Sequence, residues 1–337
     1  MTNLQLYDAS TLARHRSWLD LSDDALRRRA VAAANSRDPE ELWGLVEAYL
    51  VHSSPKGSKL SRHTLNTYKR GVRDLLEHWQ GVNLLRPSRR AGSLYLEELE
   101  QIPHRIDKTD GQAAPRYRSP STVNVKLAAA RTLYYALAWS EATNVDPFKG
   151  LRSRRDPVPA WEKRQPYTLK EIERLLEGAE HPADRAVILL GSHAGLRRHE
   201  IAGLRWEDLR SEARLVRVRG KGGYIESVGI SKRLLEALQA LRSSRDVRRR
   251  RKNREGFILP WGDKRIEQRF RTLCRSVGVE YEGKGIHGLR HGAGTRMYRQ
   301  TRDLNQVQKH LRHKNITTTT IYAKLEDEAT RRTIEEW

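Results

Sequence analysis

In the first half of the chain, apolar residues recur every three or four positions, which is the spacing of an amphipathic helix. This pattern predicts three helices that begin at Pro39, Ser61 and Pro120. Residues 53–58 are rich in serine, proline and glycine, so they are expected to separate the first helix from the second. The polar segment 103–119 is predicted to be a loop. Because no alternation typical of a strand occurs here, this half is predicted to be all helical.

The second half combines helical spacing with one pair of strands. It opens with Thr168 and Glu171, which stand three positions apart as in a capping box at the start of a helix. After an apolar helix, residues 215–219 alternate between apolar and polar, a glycine-rich turn follows, and 224–230 return as the partner strand. Helical spacing resumes at Ser231. The predicted fold class is mostly α with a small β-sheet, divided into a helical domain and a mixed α/β domain.

These changes of pattern divide the chain into five parts. In order, they are an N-terminal extension (1–37), a helical domain (38–150), a basic linker (151–166), a mixed domain (167–325) and a C-terminal tail (326–337). The prolines of the linker stiffen and extend it. Its arginines, Arg152, Arg154 and Arg155, either lie along a phosphate backbone or are simply solvated. The basic run at 242–254 leaves the same two interpretations open.

The charge of the chain points to a polyanionic partner. Its 337 residues include 64 Lys and Arg against 42 Asp and Glu, a formal net charge of +22. Such a charge repels itself unless a polyanion neutralises it, and DNA or RNA is the usual one. A generally basic soluble protein is the alternative. The single Cys274 excludes an internal disulfide, and no apolar stretch approaches the roughly 18 residues that span a bilayer. We therefore expect a cytoplasmic, nucleoid-associated protein without membrane contact.

Four segments of the second half carry residues suited to phosphoryl transfer. Their candidate catalytic residues are Arg197, Lys221, His287, Arg290, His313 and Tyr322. Guanidinium groups are a natural clamp for the oxygens of a phosphate that gains charge during the reaction. A tyrosine hydroxyl can attack the phosphorus if a second group protonates the leaving oxygen. No histidine and cysteine cluster has the spacing of a zinc site, so neither metal nor cofactor is expected.

In their order and spacing, these segments resemble the tyrosine recombinase/integrase family, which includes the Xer recombinases and phage integrases. The G-L-R-x-x-E box of that family is matched by 195–200, and its hairpin lysine by Lys221. The H-x-x-R box is matched by 287–290, the L-G-H box by 311–313, and the nucleophile by Tyr322. The first half is similar to the core-binding domain of the family at Ser61, Thr64 and Tyr68 and at 144–148. The resemblance covers about residues 38–325.

The resemblance implies a strand-exchange enzyme whose two domains clamp duplex DNA. Tyr322 would attack the scissile phosphate to give a 3′-phosphotyrosyl link and a free 5′ hydroxyl, with no metal or ATP. Arg197 and Arg290 would hold the non-bridging oxygens, and Lys221 would protonate the leaving oxygen. The remaining roles would be Tyr proton acceptor (His287), phosphate ligand (His313), orientation of Arg197 (Glu200), and DNA contacts (Lys126, Arg131, Arg152, Arg154 and Arg155).

Assembly and alternatives also follow from the resemblance. Four protomers would act on paired DNA sites, with a partner recombinase as a further expectation. Apolar residues spaced by four in the tail predict a short helix that docks on a neighbouring protomer or folds back on its own domain. A type IB topoisomerase and a catalytically inactive DNA-binding relative remain the alternatives. One departure stands out: Arg312 replaces the usual glycine, which could serve a positive φ or a close approach. Because an arginine can still take helical geometry, we expect a small local change and an added charge near DNA, without loss of activity.

Overall fold

The structure, a computed structural model, describes residues 16–53, 60–103, 105–109, 112–159, 163, 165–220, 224–244, 254–313, 316 and 319–323. The chain divides into two compact units, Met1–Pro157 and Val158–Trp337. The division falls inside the predicted linker. The predicted tail at 326–337, Lys221 of the hairpin and residues 245–253 of the basic run lie outside the described residues.

The first unit is mostly helical. Its elements are α1 (Asp23–Ser36), α2 (Pro39–Ser53), α3 (Arg62–His78), α4 (Ala91–Gln101), β1 (Arg105–Thr109), β2 (Gln112–Arg116) and α5 (Pro120–Trp139). The three helices predicted from apolar spacing are present as α2, α3 and α5. Ser61 and Ser119 fix where α3 and α5 begin, because each hydroxyl accepts a hydrogen bond from the backbone N–H three residues later.

The core of the first unit is aromatic. The rings of Trp79 and Phe148 stack with their centroids 5.4 Å apart, and Tyr95 and Tyr134 meet Phe148 edge-on. The buried Tyr134 hydroxyl donates to a backbone carbonyl, so it carries no unsatisfied polar group into the core. Residues of α1, together with Trp18, pack into the same cluster. The segment expected as an N-terminal extension therefore contributes to this core.

The prediction of a loop at 103–119, and with it of an all-helical first half, was wrong. Strands β1 and β2 form an antiparallel hairpin there, in a register that pairs Arg105 with Arg116 and Thr109 with Gln112. Backbone N–H and C=O groups supply the pairing, and they do so whatever the polarity of the side chains. The segment lacks the apolar alternation that signals a half-buried strand, which is why the sequence pattern did not reveal the hairpin.

The second unit adds a small sheet to a helical framework. Its helices are α6 (Leu169–Glu177), α7 (Pro182–Ser192), α8 (Arg198–Gly203), α9 (Lys232–Ser243), α10 (Asp263–Ser276), α11 (His287–Thr301) and α12 (Leu304–Leu311). Its strands are β3 (Leu209–Arg210), β4 (Leu215–Arg219) and β5 (Ile225–Gly229), antiparallel in the order β3-β4-β5. The strand pair predicted from sequence is thus present as β4 and β5, and β3 extends it. The capping box of Thr168 and Glu171 is also present.

The centre of the second unit is α7, a helix buried along almost its whole length. It packs against α6, α8, α9, α10 and α11. Gly191 allows α11 to approach closely, since a Cβ there would lie 2.8 Å from Leu289 Cβ. This packing places the start of α11 and the turn after α7 side by side, where three of the predicted catalytic residues are found: Arg197, His287 and Arg290. None of the helices in the described part of the chain is long and apolar enough to cross a membrane.

Candidate active site

Arg197 lies in a tight turn between α7 and α8. The turn depends on Gly195, whose φ of +60° falls in the left-handed region that glycine adopts without steric penalty. A Cβ at Gly195 would also come within 2.6 Å of a Leu311 methyl carbon, so the turn packs directly on the end of α12. The Arg197 side chain is 33% exposed and donates from Nη1 to Glu200 Oε1 at 2.8 Å. Its guanidinium is anchored on one side and accessible on the other.

Arg290, on the first turn of α11, joins the Arg197 turn to the end of α12. It is only 5% exposed, and its two terminal nitrogens donate to the carbonyl oxygens of Gly195 and Leu311. Burial, followed by the positive charges of Arg197 and Arg312, lowers the pKa of Arg290 to about 9. The guanidinium is still charged at neutral pH. Its surroundings therefore disfavour that charge, and an anion bound nearby would stabilise it.

Glu200 is the carboxylate that forms ion pairs with these arginines, and its side chain is 1% exposed. One oxygen accepts from the guanidinium of Arg197, and the other accepts from the Arg197 backbone N–H and from Arg312, each at 2.8 Å. Burial alone raises the pKa of Glu200, but Arg312 and Arg197 outweigh it and hold the pKa below its usual value. Glu200 is therefore ionised and pairs with Arg197. Its expected role in orienting that guanidinium stays a prediction.

The expected helical geometry of Arg312 was wrong. Its φ and ψ are 56° and 48°, a left-handed conformation that ends α12. Helices commonly end in this way, usually with glycine, because the left-handed residue satisfies the last carbonyl groups. The side chain turns inward, is 4% exposed, and donates to Glu200 and to the His310 carbonyl oxygen at 2.8 and 3.1 Å. The added charge is thus paired inside the protein.

The rings of Tyr322 and His313 face each other close to Arg197 and Arg290. Their rings are nearly parallel, 9° apart, with centroids separated by 6.3 Å. His313 Nδ1 is 3.0 Å from the Thr319 hydroxyl, and burial, with nearby arginines, lowers the His313 pKa to about 4. Gly294 makes room for the tyrosine, because a Cβ there would lie 2.4 Å from Tyr322 Cζ. His313 is therefore neutral at physiological pH, a hydrogen-bonding group and not a cation.

The Tyr322 hydroxyl is held in its protonated form. The residue is 1% exposed, and burial raises its pKa to about 12 even though Arg290 and Arg197 act in the opposite direction. An attacking phenolate therefore requires both exposure to the phosphate and a group that accepts the proton.

His291 is a site residue that the sequence reasoning missed. Its Nδ1 lies 3.5 Å from the Tyr322 hydroxyl, at the outer limit of a hydrogen bond. His287, which was expected to accept this proton, is exposed at the first residue of α11. A signal was available in the sequence: residues four apart on a helix share a face, so His287 and His291 point the same way. The structure places the second of them against the tyrosine.

The remaining predicted residues belong to the first unit, except Lys221. Lys221 falls outside the described residues. In the first unit, Lys126 forms an ion pair with Asp74, and Arg131 donates to the carbonyl oxygen of Leu151. The linker arginines are exposed, and Arg154 pairs with Glu100 at 3.0 Å (the others are Arg152 and Arg155). Their contacts with DNA stay predictions.

Comparison with known proteins identifies the family. Residues 167–329 match the model of the phage integrase family. The tyrosine recombinase XerC of Pseudomonas entomophila is 30% identical over 292 residues, which cover 83% of this chain and 91% of that protein. This chain belongs to the tyrosine recombinase family. XerC of Pseudomonas aeruginosa is likewise 30% identical over 293 residues, covering 83% of this chain and 90% of the relative. The sequence prediction of a tyrosine-type site-specific DNA recombinase is thereby confirmed, and the topoisomerase alternative is not favoured.

Solved structures show the same fold. The XerH site-specific recombinase, in a post-cleavage complex with its palindromic difH substrate, matches with a TM-score of 0.68 and 17% identity. That match covers 100% of this chain and 91% of XerH. A dimer of lambda integrase residues 75–356 bound to a COC′ core site matches with a TM-score of 0.60 and 15% identity, over 86% of this chain and 94% of that fragment. The fold class predicted from sequence, mostly α with a small sheet, is confirmed.

Proposed function

We propose that this recombinase cleaves and rejoins duplex DNA by attack of Tyr322 on the scissile phosphate. The observation that carries the proposal is the concentration of positive charge beside that tyrosine. Three buried or half-buried guanidiniums surround a single carboxylate, and burial and like charges lower the pKa of Arg290 to about 9. Such a site is complementary to a phosphodiester, and still more to the transition state, in which the phosphate oxygens gain charge.

In the proposed step, the oxygen of Tyr322 forms a bond to phosphorus while the bond between phosphorus and the 5′ oxygen breaks. Arg197 and Arg290 hold the two non-bridging oxygens, since a planar guanidinium can donate two parallel hydrogen bonds. Lys221 protonates the leaving 5′ oxygen. His313 donates a hydrogen bond to a phosphate oxygen, which its neutral form allows. The product is a 3′-phosphotyrosyl link that conserves the phosphodiester energy, so rejoining reverses the same step without ATP.

The proton of Tyr322 passes to His291 in this scheme. The 3.5 Å separation between the tyrosine hydroxyl and His291 Nδ1 supports this choice. A neutral imidazole has the basicity suited to proton transfer near pH 7. His287, on the same face of α11, is the alternative acceptor.

We further propose that double-stranded DNA is the partner and that four protomers act on two paired sites. XerH and the lambda integrase were each solved on DNA, the latter as a dimer. The net charge of +22 supports an extended contact with phosphates. A partner recombinase and contacts through residues 326–337 belong to the same proposal. A chain that ends at Ala323 is expected to bind single sites normally and to form fewer synaptic complexes.

A nicked suicide substrate tests the chemistry. After cleavage, the short fragment between the scissile phosphate and the nick, which carries the free 5′ hydroxyl, diffuses away. The covalent complex therefore accumulates and is seen as a shifted band on a denaturing gel. We expect this band with the wild-type protein, also in EDTA, and none with Tyr322→Phe, which should still bind the DNA. A normal yield of adduct from Tyr322→Phe, or a strict requirement for magnesium, would contradict the mechanism. Exchange between two marked duplexes then separates recombination from simple relaxation.

A further inference from the structure

Arg312 ends α12 in a conformation that does not call for arginine. Its φ of 56° is a left-handed angle that glycine adopts at lower energy than any residue with a Cβ. The conformation therefore does not explain the residue. Its side chain, in contrast, is almost fully buried, at 4% exposure, and makes a 2.8 Å ion pair with Glu200. The contacts of the guanidinium, and not the backbone conformation, therefore explain why an arginine stands here.

The ion pair determines with which arginines the Glu200 carboxylate forms hydrogen bonds. Glu200 Oε2 accepts from Arg312, and it is also the carboxylate oxygen 4.0 Å from Nη1 of Arg290. At that distance Arg290 is not hydrogen-bonded to Glu200, and its terminal nitrogens are directed to backbone carbonyls instead. If the Arg312 side chain were removed, Arg290 would be the nearest guanidinium not already bound to the carboxylate. Glu200 would then compete with a DNA phosphate for Arg290.

The charge of the cluster points the same way. With Arg312 present, three guanidiniums lie around Glu200, so they carry two more positive charges than that carboxylate neutralises. Without Arg312, the excess is one. A phosphodiester carries one negative charge, and its oxygens gain more as the tyrosine attacks, so the second positive charge matters most in the transition state. Removal of Arg312 should therefore lower the cleavage rate more than the affinity for DNA.

We propose that Arg312 is a positioning residue that neutralises Glu200 and so leaves Arg290 free for the scissile phosphate. The inference rests on the proposed function, since it takes Arg197 and Arg290 as the phosphate clamp. Arg312 itself does not contact the substrate in this scheme: its buried guanidinium acts through Glu200. At this position, where the family usually has glycine, Arg312 would strengthen the binding of the phosphate by Arg197 and Arg290.

Arg312→Gly tests the proposal with little change to the backbone, because glycine suits the left-handed angle. We expect the rate of covalent complex formation at saturating DNA to fall roughly 10-fold to 100-fold, by analogy with outer residues that orient the ligands of a metal site. The dissociation constant for a single DNA site should change less than the rate. Arg302→Gly is the matched control, since Arg302 also ends a helix with a left-handed angle, φ 54°, and is exposed. It should cleave at the wild-type rate.

A double-mutant cycle tests whether Arg312 acts through Glu200. In a Glu200→Gln background there is no carboxylate to neutralise, so adding Arg312→Gly should cost little or should raise the rate. A role of Arg312 that does not involve Glu200 predicts the same fold-loss in both backgrounds, within about twofold for independent effects. Arg312→Lys, which retains the charge, should recover part of the rate, and its melting temperature shows that the variant is folded.

The outcomes distinguish this inference from the proposed function. If wild-type protein forms no adduct through Tyr322, the proposed function fails. If wild type forms the adduct, the result for Arg312 decides the inference. A rate for Arg312→Gly equal to wild type, or an equal loss in the wild-type and Glu200→Gln backgrounds, would overturn it.

Discussion

Arg37 in the first unit and Arg290 in the second form the same kind of hydrogen bonds in different electrostatic surroundings. Each guanidinium donates to two backbone carbonyl oxygens that are distant in sequence. Arg37 joins the end of α1 to α3 and the loop after it, and Arg290 joins the turn at Arg197 to the end of α12. For Arg290, burial and two neighbouring guanidiniums lower the pKa to about 9.

The difference separates two uses of an inward-pointing arginine. In the first unit, the hydrogen bonds of Arg37 fasten one segment to another, and the residue serves stability. In the second unit, similar bonds hold a charge in a place where it is disfavoured until an anion arrives. Uncompensated buried charge destabilises a protein. Such a charge beside Tyr322 fits the proposed role of Arg290 in binding the scissile phosphate, at some cost in stability.

The largest expected effect is the loss of cleavage rate when Arg290 is replaced by lysine. Arg290→Lys should lower the cleavage rate at saturating DNA about 100-fold to 1,000-fold, the range for loss of a preorganised donor to a developing negative charge. A lysine ammonium cannot span two oxygens as a guanidinium does. Rates of adduct formation on the suicide substrate measure the loss.

Arg37→Lys is the matched variant in the first unit. It should lower the melting temperature but leave the cleavage rate at saturating DNA unchanged. Two results would contradict this distinction between the arginines. One is cleavage by Arg290→Lys at the wild-type rate, and the other is a loss of cleavage rate in Arg37→Lys as large as that in Arg290→Lys.

A smaller loss is expected for His291→Gln. Glutamine retains hydrogen-bonding capacity but cannot accept a proton near neutral pH, so the cleavage rate should fall about 100-fold, at the lower end of general acid–base effects. Because Tyr322 has a pKa raised to about 12, the rate of this variant should rise with pH as phenolate forms, more steeply than that of wild type. Single-turnover rates from pH 6 to 10 provide the test.

His287→Gln provides the comparison for that result. If His287→Gln has the larger effect and His291→Gln is close to wild type, the proton acceptor is the residue first expected from sequence.

The smallest expected effect concerns acid stability of the second unit. Burial, followed by nearby arginines, lowers the pKa values of His193 and His313 to about 4. An unfolded histidine has a pKa of about 6.5, so from pH 6.5 down to 4 the unfolded state binds more protons than the folded state. Stability is thus fully present above pH 6.5 and falls as pH decreases toward 4, by about 1 kcal/mol per histidine at pH 5.5, since both rings are partly solvated.

Hydrogen exchange at pH 7.5 and 5.5 measures this effect locally, because α7 and α11 report on the second unit, and α3 and α5 on the first. His193→Gln removes one titrating ring and retains a hydrogen-bonding partner for Ser231, which lies 2.7 Å from His193 Nδ1. Its second unit should lose less protection on acidification than that of wild type. Equal losses in the two proteins would show that His193 does not contribute.

Much of the fold was predictable because apolar spacing and helix caps are local. Helices α2, α3 and α5 and the strands β4 and β5 follow directly from the apolar pattern, and the capping box of Thr168 and Glu171 marks the start of α6. The hairpin of β1 and β2 was missed because backbone pairing holds it without a pattern of apolar side chains.

By itself, the sequence determined the family, the charge that calls for a polyanion, and the types of residue that carry the chemistry. Only the tertiary structure decided how those residues meet. Arg312 turns inward to a carboxylate 112 positions away, and Tyr322 lies against His291, 31 positions away. Such contacts arise where α7, α8, α11 and α12 pack together, and the direction of a side chain there depends on the space and charge that distant segments leave to it. No local period in a sequence records that information.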